Sequence, residues 1–373
     1  MPVRDILIAG GYGAVGRYLS AELARRYPDA VIVTGRDLRK AEACVREIGY
    51  GARPMALDVS DHDAVCAALI DVAAVANCVP DHTHHLLRAA VDRGLAYTDI
   101  TPFLIRRELR EIAERARATG ARIVGGAGLA PGITSIMARA AADQLETVDT
   151  VTAALFFSLG DAFGPASLDF FTAELSAEFE VSIEGAMERV RSFSDPRIVE
   201  FPAPIGRRVA YRAPFADQFS YPLTLGARTA GTWLALDPAW LGRMVAAASR
   251  LGLGSALENY PFCRRAVRAM IELVRRHLRT SDAFALAVET IGAGVVHRYT
   301  LAGHCQAEAT AVATALVVRA LCDGEIEAPG TWYPEQVLDA DVFFSRLAHH
   351  GFAVIHGCGS IRTSRDRDSR WNL

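Results

Sequence analysis

The chain has 373 residues, 51% hydrophobic and 22% charged, a globular composition too long for one ordinary core, so two domains are expected. Its 40 Lys and Arg are offset by 43 Asp and Glu for a net charge of -3, which speaks against nucleic acid as a partner. No uncharged run reaches membrane-spanning length and "MPVRD" leads straight into an apolar strand, so no membrane contact and no export are expected.

From Val3 to about Val124 short apolar runs alternate with amphipathic ones: "ILIAG", "VGRYLSAELARRY", "AVIVTG", "LRKAEACVREIG", "RPMALDV". The alternation continues through "DHDAVCAALID", with Asp61 as a helix N-cap, then "VAAVANCV", "THHLLRAAVDRG", "AYTDIT", "REIAERARATG" and "RIVGG". Strands alternating with helices call for parallel pairing and right-handed crossovers, hence an α/β fold with a doubly wound, Rossmann-type sheet of six strands.

After "GLAPGITSIMARAAADQL" the rhythm changes. "TVTAALFFSL", "FEVSIEG", "RRVAYRA" and "ARTAGTWLAL" lie close together, and "AFALAVETIG" with "VVHRYTLAGH" reads as a hairpin turning at Ala293 and Gly294. Few crossover helices separate these runs, so a mixed or antiparallel sheet on a second core is expected. "AWLGRMVAAASRLGLGSAL" and "FCRRAVRAMIELVRRHL" have helical period, the second with six Arg between Arg264 and Arg279 on a solvated face. "AEATAVATALVVRALCDG" reads as an Ala-rich helix stopped at Gly324. The polar end "SIRTSRDRDSRWNL" reads as a loose tail.

Gly11, Gly13 and Gly16 form G-x-G-x-x-G directly after a strand and before a helix. Gly11 is assigned the tight turn, Gly13 the close approach to a pyrophosphate, and Gly16 the packing of helix on sheet, with Tyr12, Ala14 and Val15 completing the loop. An NAD site carries an acid at the end of the second strand, whereas here Thr34, Gly35 and Arg36 stand there. A guanidinium suits a 2′-phosphate and a carboxylate repels one, so NADP(H) is expected in preference to NAD(H), with Arg39 and Lys40 nearby. The alternative is a solvated Arg36 with Asp37 reaching the ribose. Asp58 and Val59 end the third strand near the adenine, where Asp58 equally caps a turn with Ser60. Asn77, Cys78, Val79 and Pro80 follow the fourth strand, at the crevice where a parallel sheet meets its ligand.

Seven Cys, at Cys44, Cys66, Cys78, Cys263, Cys305, Cys322 and Cys358, show no zinc or redox spacing, and a reducing cytoplasm is the expected setting. His82, His84 and His85 lack the ligand spacing of a metal site, so no metal is expected and His82 remains only a candidate for proton handling.

Four stretches, "GGYGAVGRYLSAELAR", "NCVPDHTHHLLRAAVDRGLAYTDIT", "GAGLAPGITSIMA" and "EATAVATALVVRALCDGEIEAPGTWYPEQVL", give a chain that resembles the saccharopine dehydrogenase-like family of NAD(P)-dependent oxidoreductases. The likeness is good over the first 140 residues, fair over the last 70 and poor between. It implies a Rossmann domain of residues 1–130 and 304–357 and an inserted α+β substrate and dimerisation domain of residues 131–303, with 358–373 as the tail. It implies a homodimer acting on a small-molecule substrate. It also implies that Tyr97 and Asp99, in Tyr-x-Asp at the fifth strand's end, face the nicotinamide, and that the backbone of Gly128 to Gly132 lines the same region. Ala130 stands where relatives often carry Asp. Asp99 could stabilise an iminium or position a general acid, or cap the following helix together with Thr101; Tyr97 could donate a hydrogen bond. The expected reaction is hydride transfer at a C–N bond of an amino-acid or polyamine-type compound. The alternatives are reduction of a C=C bond and a silent NADP-binding regulator.

Overall fold

The structure is a computed structural model that describes residues 5–100, 109–160, 178–251 and 281–360. The Arg264 to Arg279 stretch, Thr101 with the rest of "TPFLIRRE", and residues 361–373 lie outside the described residues. The chain divides into two compact units, Met1–Ile133 with Ala307–His350 and Thr134–Gln306 with Gly351–Leu373.

In the first unit the alternating pattern becomes β1 (Asp5–Ala9), α1 (Gly16–Arg26), β2 (Val31–Gly35), α2 (Leu38–Ile48), β3 (Arg53–Ala56), α3 (His62–Ala68), β4 (Val72–Asn77), α4 (His85–Asp92), β5 (Ala96–Asp99), α5 (Leu109–Thr119) and β6 (Arg122–Gly125). Asp61 caps α3 by accepting from the Asp63 and Ala64 amides, as expected. The sheet is parallel throughout, but it has seven strands, in the order β15-β6-β5-β4-β1-β2-β3. The seventh, β15 (Gly330–Trp332), comes from the far end of the chain and pairs with β6. A run of three residues, Gly-Thr-Trp, is too short to show a strand period, which is why the sequence reading stops at six.

Across the insertion the chain returns through a long helix, Gln306–Cys322. It is apolar all round, so it is buried on every side; Ala311, Ala315, Val318 and Leu321 join Ile6, Ile8 and Val124 in one core. Arg122 Nη1 donates to the carbonyls of Leu321 (2.8 Å) and Ile326 (3.1 Å), tying the C-terminal end of this helix to β6. Gly324 follows in the left-handed region, at φ 80°.

The second unit is built on a mixed sheet in the order β10-β11-β12-β7-β13-β14-β16. Its strands are β7 (Thr150–Ser158), β10 (Arg197–Phe201), β11 (Gly206–Arg212), β12 (Thr229–Asp237), β13 (Ala283–Gly292), β14 (Val295–His304) and β16 (Ile355–Ser360). β12 and β7 are parallel and the other neighbours antiparallel. The hairpin of β13 and β14 turns at Ala293 and Gly294, both at positive φ. β8 (Glu178–Ile183) and β9 (Ala186–Arg191) form a separate two-stranded ribbon.

Two features differ from the sequence reading. β9 (AMERVR) is half charged and almost wholly exposed, and β10 (RIVEF) has no strict alternation of apolar and polar residues, so neither shows the period of a half-buried strand. β16 pairs with β14, so residues from Gly351 onward belong to the second unit, whereas the reading keeps 304–357 with the first and begins a loose tail at 358. Its "IHGCGS" has two glycines and little alternation; long-range pairing with β14 makes it a strand.

Candidate nucleotide site

Between β1 and α1 the backbone turns through Gly11 and Tyr12, closed by Gly13 N donating to Gly10 O at 2.8 Å, and the turn is entered through Gly10 at φ 73°. A side chain on Gly10 would also strike Val79, 2.4 Å from its Cγ1. Gly11 is required for packing: a Cβ there would lie 2.9 Å from Val33 Cγ1 and 3.0 Å from Ser20 Oγ. Its carbonyl accepts from Ser20 Oγ (3.0 Å) and its N–H donates to Thr34 O (2.9 Å), fastening the loop to β2. Gly16 is the tightest point, where a Cβ would stand 2.0 Å from Gly10 O. Gly13 is exposed, and a Cβ on it would meet only Gly10 O within 4 Å, so the loop is open above this residue.

The start of α1 differs from those of its neighbours. Asp37 and Asp61 accept amide hydrogens at the N-termini of α2 and α3, but Val15, the N-cap of α1, supplies no side-chain bond and the first turn carries no acid. Uncapped amides and the positive end of a helix dipole beneath an open glycine are what a pyrophosphate requires. Gly10, Gly11, Gly13 and Gly16 with the amides of Ala14 and Val15 therefore fit a dinucleotide.

At the end of β2, Tyr12 lies across Gly35; a Cβ on Gly35 would be 2.4 Å from the ring's Cε1. The Tyr12 hydroxyl accepts the Asp37 amide at 3.0 Å. Asp37 Oδ1 in turn accepts from the amides of Arg39 (3.0 Å) and Lys40 (3.3 Å), so this carboxylate is engaged as the α2 cap. Arg36, between them, is exposed. Asp58 accepts from Ser60 Oγ (2.7 Å) and Ser60 N (3.0 Å). These bonds hold its carboxyl below the usual range, the nearby Arg36 charge adding to the effect. Of the two sequence readings of Asp58, the turn cap is present. Val59 packs against the core beneath β3.

On the other side of β1, Cys78 N donates to Ala9 O (3.0 Å), which joins the loop after β4 to the glycine turn. With β1 flanked by β4 and β2, this is the point where strand order reverses and ligands meet such sheets. Asn77 and Asp99 are register partners at the ends of β4 and β5. Asn77 Nδ2 donates to Asp99 Oδ2 (2.8 Å), Tyr97 OH donates to the same oxygen (2.7 Å), and Asn77 Oδ1 accepts the Val79 amide (3.2 Å). Tyr97, Asn77 and Asp99 are buried. Burial first, then the Asp99 charge, pushes the Tyr97 hydroxyl well above its ordinary value, and the same two causes push up the Cys78 thiol. The hydroxyl of Tyr97 is thus directed at Asp99. Asn77, which the sequence places only at the crevice after the fourth strand, orients the carboxylate with its side chain; register pairing, invisible in one sequence, reveals this.

His82 and Pro80 are exposed, and Asp81, next to them, caps α4 through the Leu86 amide (3.0 Å). His82 does not join the Asn77, Tyr97 and Asp99 group. The segment after β6 closes on itself: Gly128 N donates to Pro131 O (3.0 Å), Ile133 N donates to Gly128 O (3.0 Å), and a Cβ on Gly132 would stand 2.0 Å from Gly128 O. Thr314 Oγ1, from the returning helix, donates to Ala127 O (2.8 Å). Gly128 to Gly132 is thus a fixed loop at the carboxyl end of the sheet.

Together these features define a Rossmann dinucleotide-binding unit of the NADP class. Residues 6–124 match the family profile described as "Saccharopine dehydrogenase NADP binding domain". The fold resembles apo saccharopine dehydrogenase (L-Glu forming) from Saccharomyces cerevisiae, with a TM-score of 0.69 at 16% identity over 96% of this chain and 100% of that one. Serine dehydrogenase from Escherichia coli (TM-score 0.26, 16% identity, 34% of this chain and 86% of that one) matches over a limited region. So does 3-hydroxyacyl-CoA dehydrogenase type-2 from Mycobacterium avium (TM-score 0.28, 14% identity, 32% and 71%). Residues 6–124 are thus an NADP-binding domain of the saccharopine dehydrogenase type, and the fold of the chain is similar to that of saccharopine dehydrogenase. Among the described residues no helix is long and apolar enough to cross a membrane.

Proposed function

We propose that this protein is an oxidoreductase that transfers hydride between NADP(H) and a C–N bond, imine or secondary amine, of an amino-acid or polyamine-type substrate. The observation that carries the reading is the Asp99 carboxylate at the carboxyl end of the sheet, its Oδ2 held by two buried donors, Tyr97 OH and Asn77 Nδ2. A fixed negative charge there favours a substrate that is cationic when it accepts hydride, as an iminium is, over a neutral enone. The domain whose profile matches residues 6–124 is named for an enzyme of C–N chemistry, which supports the same class.

The bound dinucleotide supplies or accepts the hydride. Arg36 reads the 2′-phosphate, and the amides at the start of α1 hold the pyrophosphate. Asp99 balances charge near the nicotinamide, and Tyr97 and Asn77 position it. The first unit carries the nucleotide and the second chooses the substrate. The enzyme works in the cytoplasm as a homodimer, an assignment supported by seven separated cysteines and by the family resemblance.

The test is NADPH oxidation with paired 2-oxo acids and amines, with enoyl compounds, and the reverse NADP reduction with secondary amines. Turnover confined to C–N substrates is expected. Turnover of enoyl compounds alone would replace this reading by C=C reduction, and binding of NADPH with no turnover would leave a regulator.

A further inference from the structure

We infer that Tyr12 is the positioning residue that sets the preference for NADPH over NADH, by keeping the Asp37 carboxylate away from the adenosine ribose. The inference rests on the reading that Arg36 binds the 2′-phosphate.

The strand end that faces the ribose does possess an acid, one residue past Arg36, and nothing in its residue type prevents it from serving NADH. Its direction does. The Asp37 amide is tied to the Tyr12 hydroxyl at 3.0 Å, and its Oδ1 faces into α2, on the amides of Arg39 and Lys40. Its other oxygen, Oδ2, lies 3.9 Å from Lys40 Nζ, and Arg36 stands exposed beside it. The position of Tyr12 is itself secured by Gly35, where any side chain would overlap the ring, with Cζ and the hydroxyl both 2.6 Å from a Cβ. The first variable residue of G-x-G-x-x-G thereby reaches across to the end of β2. It couples the loop that holds the pyrophosphate to the turn that reads the 2′ position, and a phenol of this length spans that gap where a smaller side chain does not.

Removing the hydroxyl in Tyr12→Phe leaves the Asp37 amide without its acceptor and releases the turn. NADPH and NADH are titrated by quenching of protein fluorescence and by calorimetry, with thermal melts confirming that each variant is folded. The ratio of NADPH to NADH affinity is expected to fall by roughly threefold to tenfold, the range that one hydrogen bond spans. Part of the change is expected as tighter NADH, and Tyr12→Phe combined with Asp37→Ala is expected to lose that gain. Gly35→Ala, which keeps the Tyr12 hydroxyl but pushes it and the ring away from the turn, is the second variant and is expected to lower the ratio in the same direction. An unchanged ratio in both Tyr12→Phe and Gly35→Ala, with Arg36→Ala still collapsing it, overturns the role of Tyr12 and leaves the Arg36 reading intact. An unchanged ratio in Arg36→Ala overturns the Arg36 reading first, and the inference with it.

Discussion

Arg36 and Asp37 are adjacent, carry opposite charge and stand where the two nicotinamide dinucleotides differ, so the choice between them turns on direction as much as on residue type. With the carboxylate of Asp37 engaged by the Arg39 and Lys40 amides, the guanidinium is the group left for the ligand. Arg36→Ala removes a charge-assisted pair of the kind worth about 1.5–3 kcal/mol, so NADPH binding should weaken by roughly tenfold or more while NADH changes little. Fluorescence titration of both nucleotides checks this, and equal losses for the two would contradict it. At the position proposed to face the nicotinamide, Asp99→Asn keeps an acceptor for Tyr97 and Asn77 but removes the charge. Turnover of a C–N substrate should drop by about tenfold or more, with NADPH affinity changed by less than about threefold. Steady-state kinetics read beside the binding titration separate the two effects. Gly16→Ala makes the opposite kind of change: its Cβ would stand 2.0 Å from Gly10 O, so the turn must shift and nucleotide binding should be lost.

Among the elements, the contrast between α1 and α2 matters most. α2 is completed by its own Asp37, whereas α1 begins at Val15 with no side-chain cap, which leaves its first amides for a phosphate. Asp37→Ala should therefore cost about 1 kcal/mol, seen as a melting temperature lowered by about 2–4 °C in the absence of nucleotide. A melting curve identical to that of the parent would show that Asp37 does not cap α2 in solution. The returning helix Gln306–Cys322 works differently, since its apolar surface is buried on all sides and Arg122 satisfies carbonyls at its end. It is as much a part of the first unit's core as the strands β1 to β6, far earlier in the chain. That it is a helix follows from Ala-rich composition. That it fills this core depends on the insertion beginning and ending at neighbouring places, which no local pattern records.

For the molecule as a whole, the buried acids set an alkaline limit. Burial pushes the Cys322 thiol from its ordinary 9.0 up to about 11, and burial with the Asp99 charge raises the Tyr97 hydroxyl well above 10.0. Each proton is held more tightly in the folded chain than in the unfolded one. Their contribution is fully present below the ordinary values, so stability should fall as pH rises past about 9, through Cys322 and the likewise raised Cys78 first and Tyr97 beyond. Denaturant melts between about pH 8 and pH 10.5 should show midpoints falling steadily, and a flat profile would mean that none of these protons is held by folding.

How far the sequence reaches can be judged residue by residue. Gly16, Asp61 and the six alternating strands are legible because their signals are local: a glycine where no side chain fits, an Asp just before a helix, apolar residues at a fixed period. The Asn77 to Asp99 bond, the seventh strand and the pairing of β16 with β14 are not. Each depends on partners tens to hundreds of residues apart, and in a single sequence such partners leave no mark. So the sequence by itself determined the class of ligand, since phosphate is read by consecutive backbone amides whose spacing is written in consecutive residues. Tertiary structure alone decided which carboxylate at the end of β2 is already engaged, and by what: Asp37 is held by Tyr12 and the start of α2, because hydrogen bonds are completed across the fold.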